Sequence, residues 1–439
     1  MTRGLIIAAP ASGSGKTVVT LALLRRFRSD GRAVASVKVG PDYIDSAFHA
    51  AATGRPCVNL DSWAMRPETL AALSARAGDG ADLVIGEGVM GLFDGAPDGR
   101  GSTADVALIT GWPVVLVIDA KGMAASAAAL VHGFATHRPE VPLVGVVFNR
   151  VSSARHARLL TDACAPLGVP VLGCLPTSDA LALLDRHLGL VQAGEHAQLE
   201  SFLEGAAAAI ADHMDIDRLA ALARPCRLDA QRPAAPVPPL GRRIAVARDI
   251  AFAFAYPFVL DGWRAAGAEV TTFSPLADEA PEPSADAVYL PGGYPELHAG
   301  RLAANRRFLD GLRAAAGRGA AVYGECGGYM VLGRALTDAE GTRHPMADLL
   351  PVETSFARPA LTLGYRDAEL VADGPLGSAG ARFRGHEFHY ATLLGGEAQT
   401  PLFRCHDARG ETAGTVGSCA GSVMGSFLHL VDSAAETAG

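Results

Sequence analysis

Long apolar runs are missing from this chain: no stretch approaches the roughly 20 residues that a membrane-spanning helix requires, although 49% of its 439 residues are hydrophobic. The opening MTRGLIIAAP has too short an apolar stretch, followed at once by glycines and Lys16, to serve as a secretory signal. A chain that stays in the cytoplasm, without a membrane partner, is expected. Clustered positive charge is also missing, and the net charge is -8. Neutralising nucleic-acid phosphates takes grouped Lys and Arg, so no nucleic-acid partner is expected. The seven cysteines, at 57, 164, 174, 226, 326, 405 and 419, include no CxxC pair. Neither a disulfide framework nor a zinc site is indicated. No internal repeat is present, and no low-complexity tract beyond a richness in alanine.

What is present alternates. Short apolar runs of strand character (LIIAA, AVASVKV, ADLVIGE, PVVLVIDA, LVGVVFN, VPVLGCLP) are separated by stretches of helical spacing such as VVTLALLRRFRSDG. After residue 241 the pattern resumes with RRIAVAR, AEVTTFS, ADAVYLPGG and AAVYGE, separated by FVLDGWRAAG and NRRFLDGLRAAAGRG. Between the halves, residues 225–241 (PCRLDAQRPAAPVPPLG) hold five prolines and little hydrophobic periodicity, the composition of an extended linker. Two α/β domains built on parallel sheets are therefore expected, at residues 1–224 and 242–439.

In the first half, the strand LIIAA runs into Pro10-Ala11-Ser12-Gly13-Ser14-Gly15-Lys16-Thr17 and then a helix, the setting of a phosphate-binding loop. Small residues at Ser12, Gly13, Ser14 and Gly15 let backbone N–H groups approach phosphate oxygens, Lys16 adds a cation, and the Thr17 hydroxyl can hold Mg²⁺. Pro10 stands where the full P-loop pattern has glycine. A nucleotide site also needs carboxylates at the ends of neighbouring strands. KVGPDYIDSAFH offers Asp42 and Asp45, VIGEGVMGLFDG offers Glu87 and Asp94, and VVLVIDAKG offers Asp119. Asp45 and Glu87 are the expected metal ligands, while Asp94 and Asp119 stay divided between ligand and turn roles. Asn149 ends the strand GVVFN, where its amide could read a nucleobase edge or form a turn.

The second half carries different chemistry. VYGECGGYMVLG, residues 322–333, sets Cys326 between an apolar strand and glycines, the pattern of a nucleophile at a strand-to-helix elbow. Such a thiol is activated by the helix N-terminus and an imidazole, and the N–H of Gly327 can stabilise an oxyanion. YLPGGYPE places Gly292 and Gly293 at another strand end, with Gly293 as the second oxyanion donor. GSVMGSFLHL puts His429 on a late apolar strand as the expected base, with His386 and His389 of GHEFHY as competitors.

These motifs carry a resemblance over nearly the whole chain. The first half resembles the dethiobiotin-synthetase-type ATP-binding fold, and KVGPDYIDSAFH, GEGVMGLFDG and LDRHLGL resemble the a,c-diamide synthases that act on hydrogenobyrinic or cobyrinic acid in the cobalamin pathway. LPGGYPE, ECGGYM, RGHEFHY and GSFLHL resemble the cobyric-acid-synthase type of class I glutamine amidotransferase. The resemblance implies ATP and Mg²⁺ as cofactors, glutamine and a corrinoid as substrates, and amidation of two acetates through acyl phosphates. Asp42, Tyr43, Ile44 and Asp94 are then candidates for the corrinoid cleft. Another ATP-dependent amidotransferase, of the cobyric acid synthase or nickel-sirohydrochlorin a,c-diamide synthase type, is the alternative, followed by a P-loop ATPase switch with a degenerate amidotransferase domain, and a homodimer stays open. In the ordinary class I enzymes the base is followed two residues on by a glutamate. Here that position is Val431. Because a cysteine depends less on a third residue than a serine does, Cys326 and His429 are expected to work without an acid there. The competing reading has His429 oriented by a backbone carbonyl, Glu387 or Asp432.

Overall fold

A computed structural model describes residues 2–181, 198–229, 235–395 and 400–434, so the LDRHLGL motif at 184–190 lies outside the described residues. Two units emerge, residues 1–63 with 67–232, and residues 64–66 with 233–439. Both ends of the proline-rich stretch are fastened rather than extended. Arg224–Pro225 pairs antiparallel with Arg3–Gly4 in the first unit, and in the second unit Val237 is buried while its carbonyl accepts from Trp263 Nε1 at 3.0 Å.

In the first unit the strands are β1 (Arg3–Ala8), β2 (Val34–Val39), β3 (Val58–Leu60), β4 (Leu83–Glu87), β5 (Val114–Asp119), β6 (Leu143–Val151), β7 (Val171–Pro176) and β8 (Arg224–Pro225). They form one sheet in the order β3-β2-β4-β1-β5-β6-β7, with β8 beside β1. All neighbours except β8 are parallel. β1, β2, β4 and β5 are near-continuous apolar runs because a parallel sheet is covered on both faces. Helix α1 (Lys16–Ser29) leaves β1 through the glycine-rich loop and buries Val19, Leu21, Leu23, Leu24 and Phe27 against the sheet. Helix α2 (Ile44–Thr53) starts just after β2 and buries Phe48 and Ala52 in the same core. The carboxyl ends of β1, β2 and β4 thus converge on one edge, as ligand sites of open α/β sheets do.

The second unit repeats the plan with β9 (Arg243–Ala247), β10 (Glu269–Phe273), β11 (Ala287–Leu290) and β12 (Ala321–Glu325), in the order β10-β9-β11-β12, all parallel. The strand Val423–Ser426 continues the sheet in parallel beside β12, and Ser418–Ala420 closes it antiparallel. An antiparallel sheet not anticipated from sequence is added here: Thr412–Val416, Phe403–His406, Thr362–Leu370, Arg382–His389 and Leu428–Ser433, in that order. It carries the imidazoles, pairing His386 with His429 across neighbouring strands. Among the described residues no helix is long and apolar enough to cross a membrane.

Candidate active sites of the two units

In the first unit the glycine-rich loop turns through left-handed backbone at Gly13 (φ 81°) and Gly15 (φ 91°), conformations that L side chains rarely adopt. Residues 11–13 are exposed, whereas Ser14 and Lys16 are buried. Burial pulls the Lys16 ammonium below its usual pKa, opposed by the charge of Glu87. Thr17 Oγ1 donates to Glu87 Oε1 at 2.7 Å, so these two hard oxygen groups stand side by side. Asn149 is placed differently from the base-reading expectation. Its Nδ2 donates to Ser14 O at 3.1 Å and its Oδ1 accepts from the Arg150 amide, so the side chain braces the loop. Arg150 helps, bonding Gly13 O at 3.0 Å and Asp119 at 2.6 Å, which assigns Asp119 to a loop clamp.

The carboxylates surround a cation that sequence reasoning passed over. Lys38 is 2% exposed on a strand that is otherwise small and apolar, and its Nζ lies 2.7 Å from Asp45, 2.9 Å from Glu87 and 3.7 Å from Asp42. Burial opposes its charge, yet Glu87, Asp45 and Asp42 together raise its pKa above the ordinary value. His49 bonds Glu87 Oε2 through Nε2 at 2.6 Å, with Cys57 Sγ 3.6 Å from its Nδ1. Against burial, those two neighbours push His49 up to about 10. Burial alone would raise Glu87, but Lys38, His49 and Thr17 hold it well below the usual carboxylate range. Glu87 is therefore an anion gripped from three sides, and Asp45 is engaged by Lys38.

The remaining expected contacts serve the backbone. Asp42 Oδ1 accepts from the amides of Ile44 and Asp45, fixing the start of α2, and burial with the charge of Asp45 lifts its pKa to about 6. Ile44 packs on the first unit's core, and Tyr43 is the half-buried N-cap of α2. Asp94 Oδ2 accepts from Gly91 N at 2.8 Å and closes a turn.

In the second unit Cys326 is the N-cap of the short helix Gly327–Leu332, with φ 45° and ψ -104°. A non-glycine residue there is strained, as at nucleophile elbows. Gly328 makes the elbow possible: a Cβ on it would lie 2.0 Å from Leu290 O. A Cβ on Gly292 would meet His429 Cε1 at 2.4 Å and Cys326 Cβ at 3.4 Å, so imidazole and nucleophile flank the same glycine. A Cβ on Gly327 would fall 3.0 Å from Gly293 N, which makes the two expected oxyanion amides neighbours.

Burial acts on both members of the pair. Burial pushes the Cys326 thiol well up, helped by the charge of Glu296, while the Gly327 amide opposes. Burial, then the charges of His386 and His389, holds His429 well below its usual pKa. Burial thus favours the neutral form of both the thiol and the imidazole in the unliganded site. The competing imidazoles have other contacts. His386 Nε2 is 2.9 Å from Tyr256 Oη, and burial holds it down to about 3. His389 stacks on Phe427 with centroids 3.9 Å apart and bonds Ala391 O. His386 in turn stacks on His429 at 4.9 Å and 11°.

Of the acids considered for orienting His429, Glu387 pairs with Arg366 at 2.6 Å, and the fully buried Asp432 with Arg66 at 2.8 Å. Glu325, at the end of β12, has Oε2 3.9 Å from His429 Nδ1. It also accepts from Tyr289 at 2.8 Å, Tyr323 at 3.1 Å and the Leu430 amide at 3.2 Å. Burial lifts its pKa to about 7 against these bonds.

Comparison with known proteins decides what this pairing of sites is. Residues 5–190 match the CobQ/CobB/MinD/ParA nucleotide binding domain, and residues 243–436 the CobB/CobQ-like glutamine amidotransferase domain. A hydrogenobyrinate a,c-diamide synthase of Brucella abortus biovar 1 is 57% identical over 99% of this chain and 100% of its own length. One from Rhodobacter capsulatus is 54% identical over 98% of each chain.

The chain belongs to the hydrogenobyrinate a,c-diamide synthase family.

Likeness to solved structures is weaker. The cell division protein FtsY of Thermotoga maritima is 19% identical, with a TM-score of 0.32 over 47% of this chain and 69% of its own. A glutamine amidotransferase is 22% identical, with a TM-score of 0.30 over 42% and 89%. For a member of the hydrogenobyrinate a,c-diamide synthase family, the residues missed by sequence reasoning are Lys38, His49 and Glu325. Lys38 and Glu325 had a visible signal, a charge inside an apolar strand run, whereas the contacts of His49 depend on the fold.

Proposed function

We propose that this chain amidates the a and c acetate carboxylates of hydrogenobyrinic acid, using ATP, Mg²⁺ and ammonia released from glutamine. The observation that carries the proposal is the full-length identity of 53–57% to synthases named for that reaction. The geometry of two separate sites supports it. Carboxylate and ammonia alone give only a salt, so the carboxylate must first be given a leaving group, and the first unit holds the phosphate loop for that step. The backbone of residues 12–15 and the ammonium of Lys16 receive the phosphates, and Lys38 brings a second cation to the charge on the transferring phosphoryl group. Thr17 and Glu87 fit Mg²⁺ as paired hard oxygen donors, with Asp45 behind them on Lys38, and the ion would neutralise phosphate charge. An acetate oxygen attacks the γ-phosphorus, ADP leaves, and ammonia displaces phosphate from the acyl phosphate to give the amide.

In the second unit the Cys326 sulfur attacks the glutamine side-chain carbonyl as His429 takes the thiol proton. The Gly327 and Gly293 amides face the oxyanion. Collapse returns the proton to the departing ammonia, and water hydrolyses the glutamyl thioester to glutamate. The enzyme works in the cytoplasm on small molecules. Purified protein with ATP, Mg²⁺ and glutamine is offered hydrogenobyrinic acid and, separately, its cobalt-containing form. The expected product carries two carboxyl-to-amide exchanges by mass on the metal-free substrate. No exchange on either corrinoid would refute the reading.

A further inference from the structure

His429 lacks an acid two residues on, yet its strand is tied to a carboxylate at the nucleophile itself. Glu325 immediately precedes Cys326 and ends β12. Its Oε1 accepts from the amide of Leu430, the residue after His429, and from Tyr323 Oη, while Oε2 accepts from Tyr289 Oη and lies 3.9 Å from His429 Nδ1. Tyr289 and Tyr323 are cross-strand partners on β11 and β12, with rings stacked at 5.9 Å, so both hydroxyls aim at one carboxylate. One side chain thus joins the elbow, the base strand and the base ring. Catalytic hydrogen bonds in a resting site are often long and tighten only with substrate in place.

We infer that Glu325 is the positioning residue of the glutamine site, holding the His429 ring by Nδ1 and stabilising the imidazolium that forms when Cys326 is deprotonated. The inference rests on Cys326 and His429 being nucleophile and base. In the step, the thiol proton moves to His429 Nε2, the sulfur–carbon bond forms, and Nδ1–H donates to Glu325 Oε2. Glu325 gains no proton, and the one on Nε2 leaves with ammonia. The negative charge of Glu325 is what the step requires, whereas the bonds to Tyr323 and Leu430 need only an acceptor.

Glu325→Gln separates the two roles, because an amide oxygen keeps an acceptor for Tyr323 and Leu430 while the charge is lost. Glutaminase kcat and KM are measured for the native protein, Glu325→Gln, Glu325→Asp, Cys326→Ala and His429→Ala. Amidation with free ammonia is measured beside them. Glu325→Gln is expected to lower kcat about 10- to 100-fold, short of what a base supplies, with KM and ammonia-dependent amidation within about twofold of native. Glu325→Asp, which keeps the charge, is expected to recover part of the loss. If Glu325→Gln keeps native kcat while Cys326→Ala and His429→Ala lose theirs, the inference fails and the nucleophile and base stand. If Cys326→Ala or His429→Ala keeps native glutaminase, the underlying reading fails. A Glu325→Gln protein that loses ammonia-dependent amidation equally, or a Glu325→Asp protein no better than Glu325→Gln, makes the role structural and overturns the inference.

Discussion

Replacing Lys38 by methionine keeps most of the side-chain volume and removes the cation between Glu87, Asp45 and Asp42. At an effective dielectric of ~20, each of the contacts at 2.7 and 2.9 Å is worth about 6 kcal/mol before desolvation. Most of that is cancelled by burying the ammonium, and removing one partner of a buried pair typically costs about 3–5 kcal/mol net. Glu87 keeps His49 and Thr17, which places the cost at the lower end, about 3 kcal/mol. For a unit of this size that lowers the thermal transition by about 6–12 °C. The assay is thermal unfolding near pH ~7.5, with the first unit's transition identified by its upward shift on adding ATP. The pH dependence has a definite sign. Glu87 is held below its unfolded value in the native protein, so its contribution is complete above the ~4.3 of an unfolded glutamate and is lost as pH falls toward the folded value. Without Lys38 the carboxylates retain protons to higher pH, so the deficit of the variant is largest at neutral pH and narrows on acidification. A transition within about 2 °C of native, or a deficit that grows as pH falls, would refute the reasoning.

Three further outcomes are expected. Cys326→Ala abolishes glutamine-dependent amidation but keeps activity with free ammonia at raised pH; equal loss with ammonia would place the thiol in the synthetase reaction or in folding. Lys16→Ala and Glu87→Ala each cost about 10²- to 10³-fold with either nitrogen source, the usual effect of losing one electrostatic contact to the transition state, and rates within a few-fold of native would remove the ATP site from this loop. Gly328→Ala puts a Cβ 2.0 Å from the Leu290 carbonyl oxygen, and since backbone cannot turn aside as a side chain can, a loss of about 1–3 kcal/mol or more is expected; an unshifted unfolding midpoint in urea would refute a tightly packed elbow.

The two sites differ in how far they could be read from the chain. The phosphate loop is local: strand, small residues, Lys16 and Thr17 are contiguous, and its geometry follows from the backbone freedom of Gly13 and Gly15. The elbow is equally local, with Cys326 between the apolar strand and Gly327-Gly328. What contiguity cannot show is competition. Asp42, Asp94, Asp119 and Asn149 each follow an apolar run, as ligands do, but each also sits where a loop has backbone groups to satisfy, and in the folded chain each bonds such a group. Lys38 was legible in principle. A strand of six buried residues that contains a lysine must supply that lysine with anions, and the anions were already named as the metal ligands.

The orienting acid of His429 shows the opposite limit. A search by spacing looks two residues after the base, finds Val431, and then turns to the nearest acids along the same strands, Glu387 and Asp432. Pairing decides against that search. Glu387 is opposite Leu428 in the antiparallel sheet and is held by Arg366, and Asp432 is held by Arg66. Glu325 is more than a hundred residues from His429 in sequence and reaches it because β12 ends beside the strand that leads into Leu428–Ser433. The parallel register that sets Tyr289 beside Tyr323 is what aims two hydroxyls at Glu325, and a buried carboxylate with those partners is held in one orientation. A class I site can therefore keep an acid near its base without keeping it near in sequence. The place to look for it is the residue before the nucleophile, where the elbow already fixes the backbone and an acid inside an apolar strand needs a partner of its own.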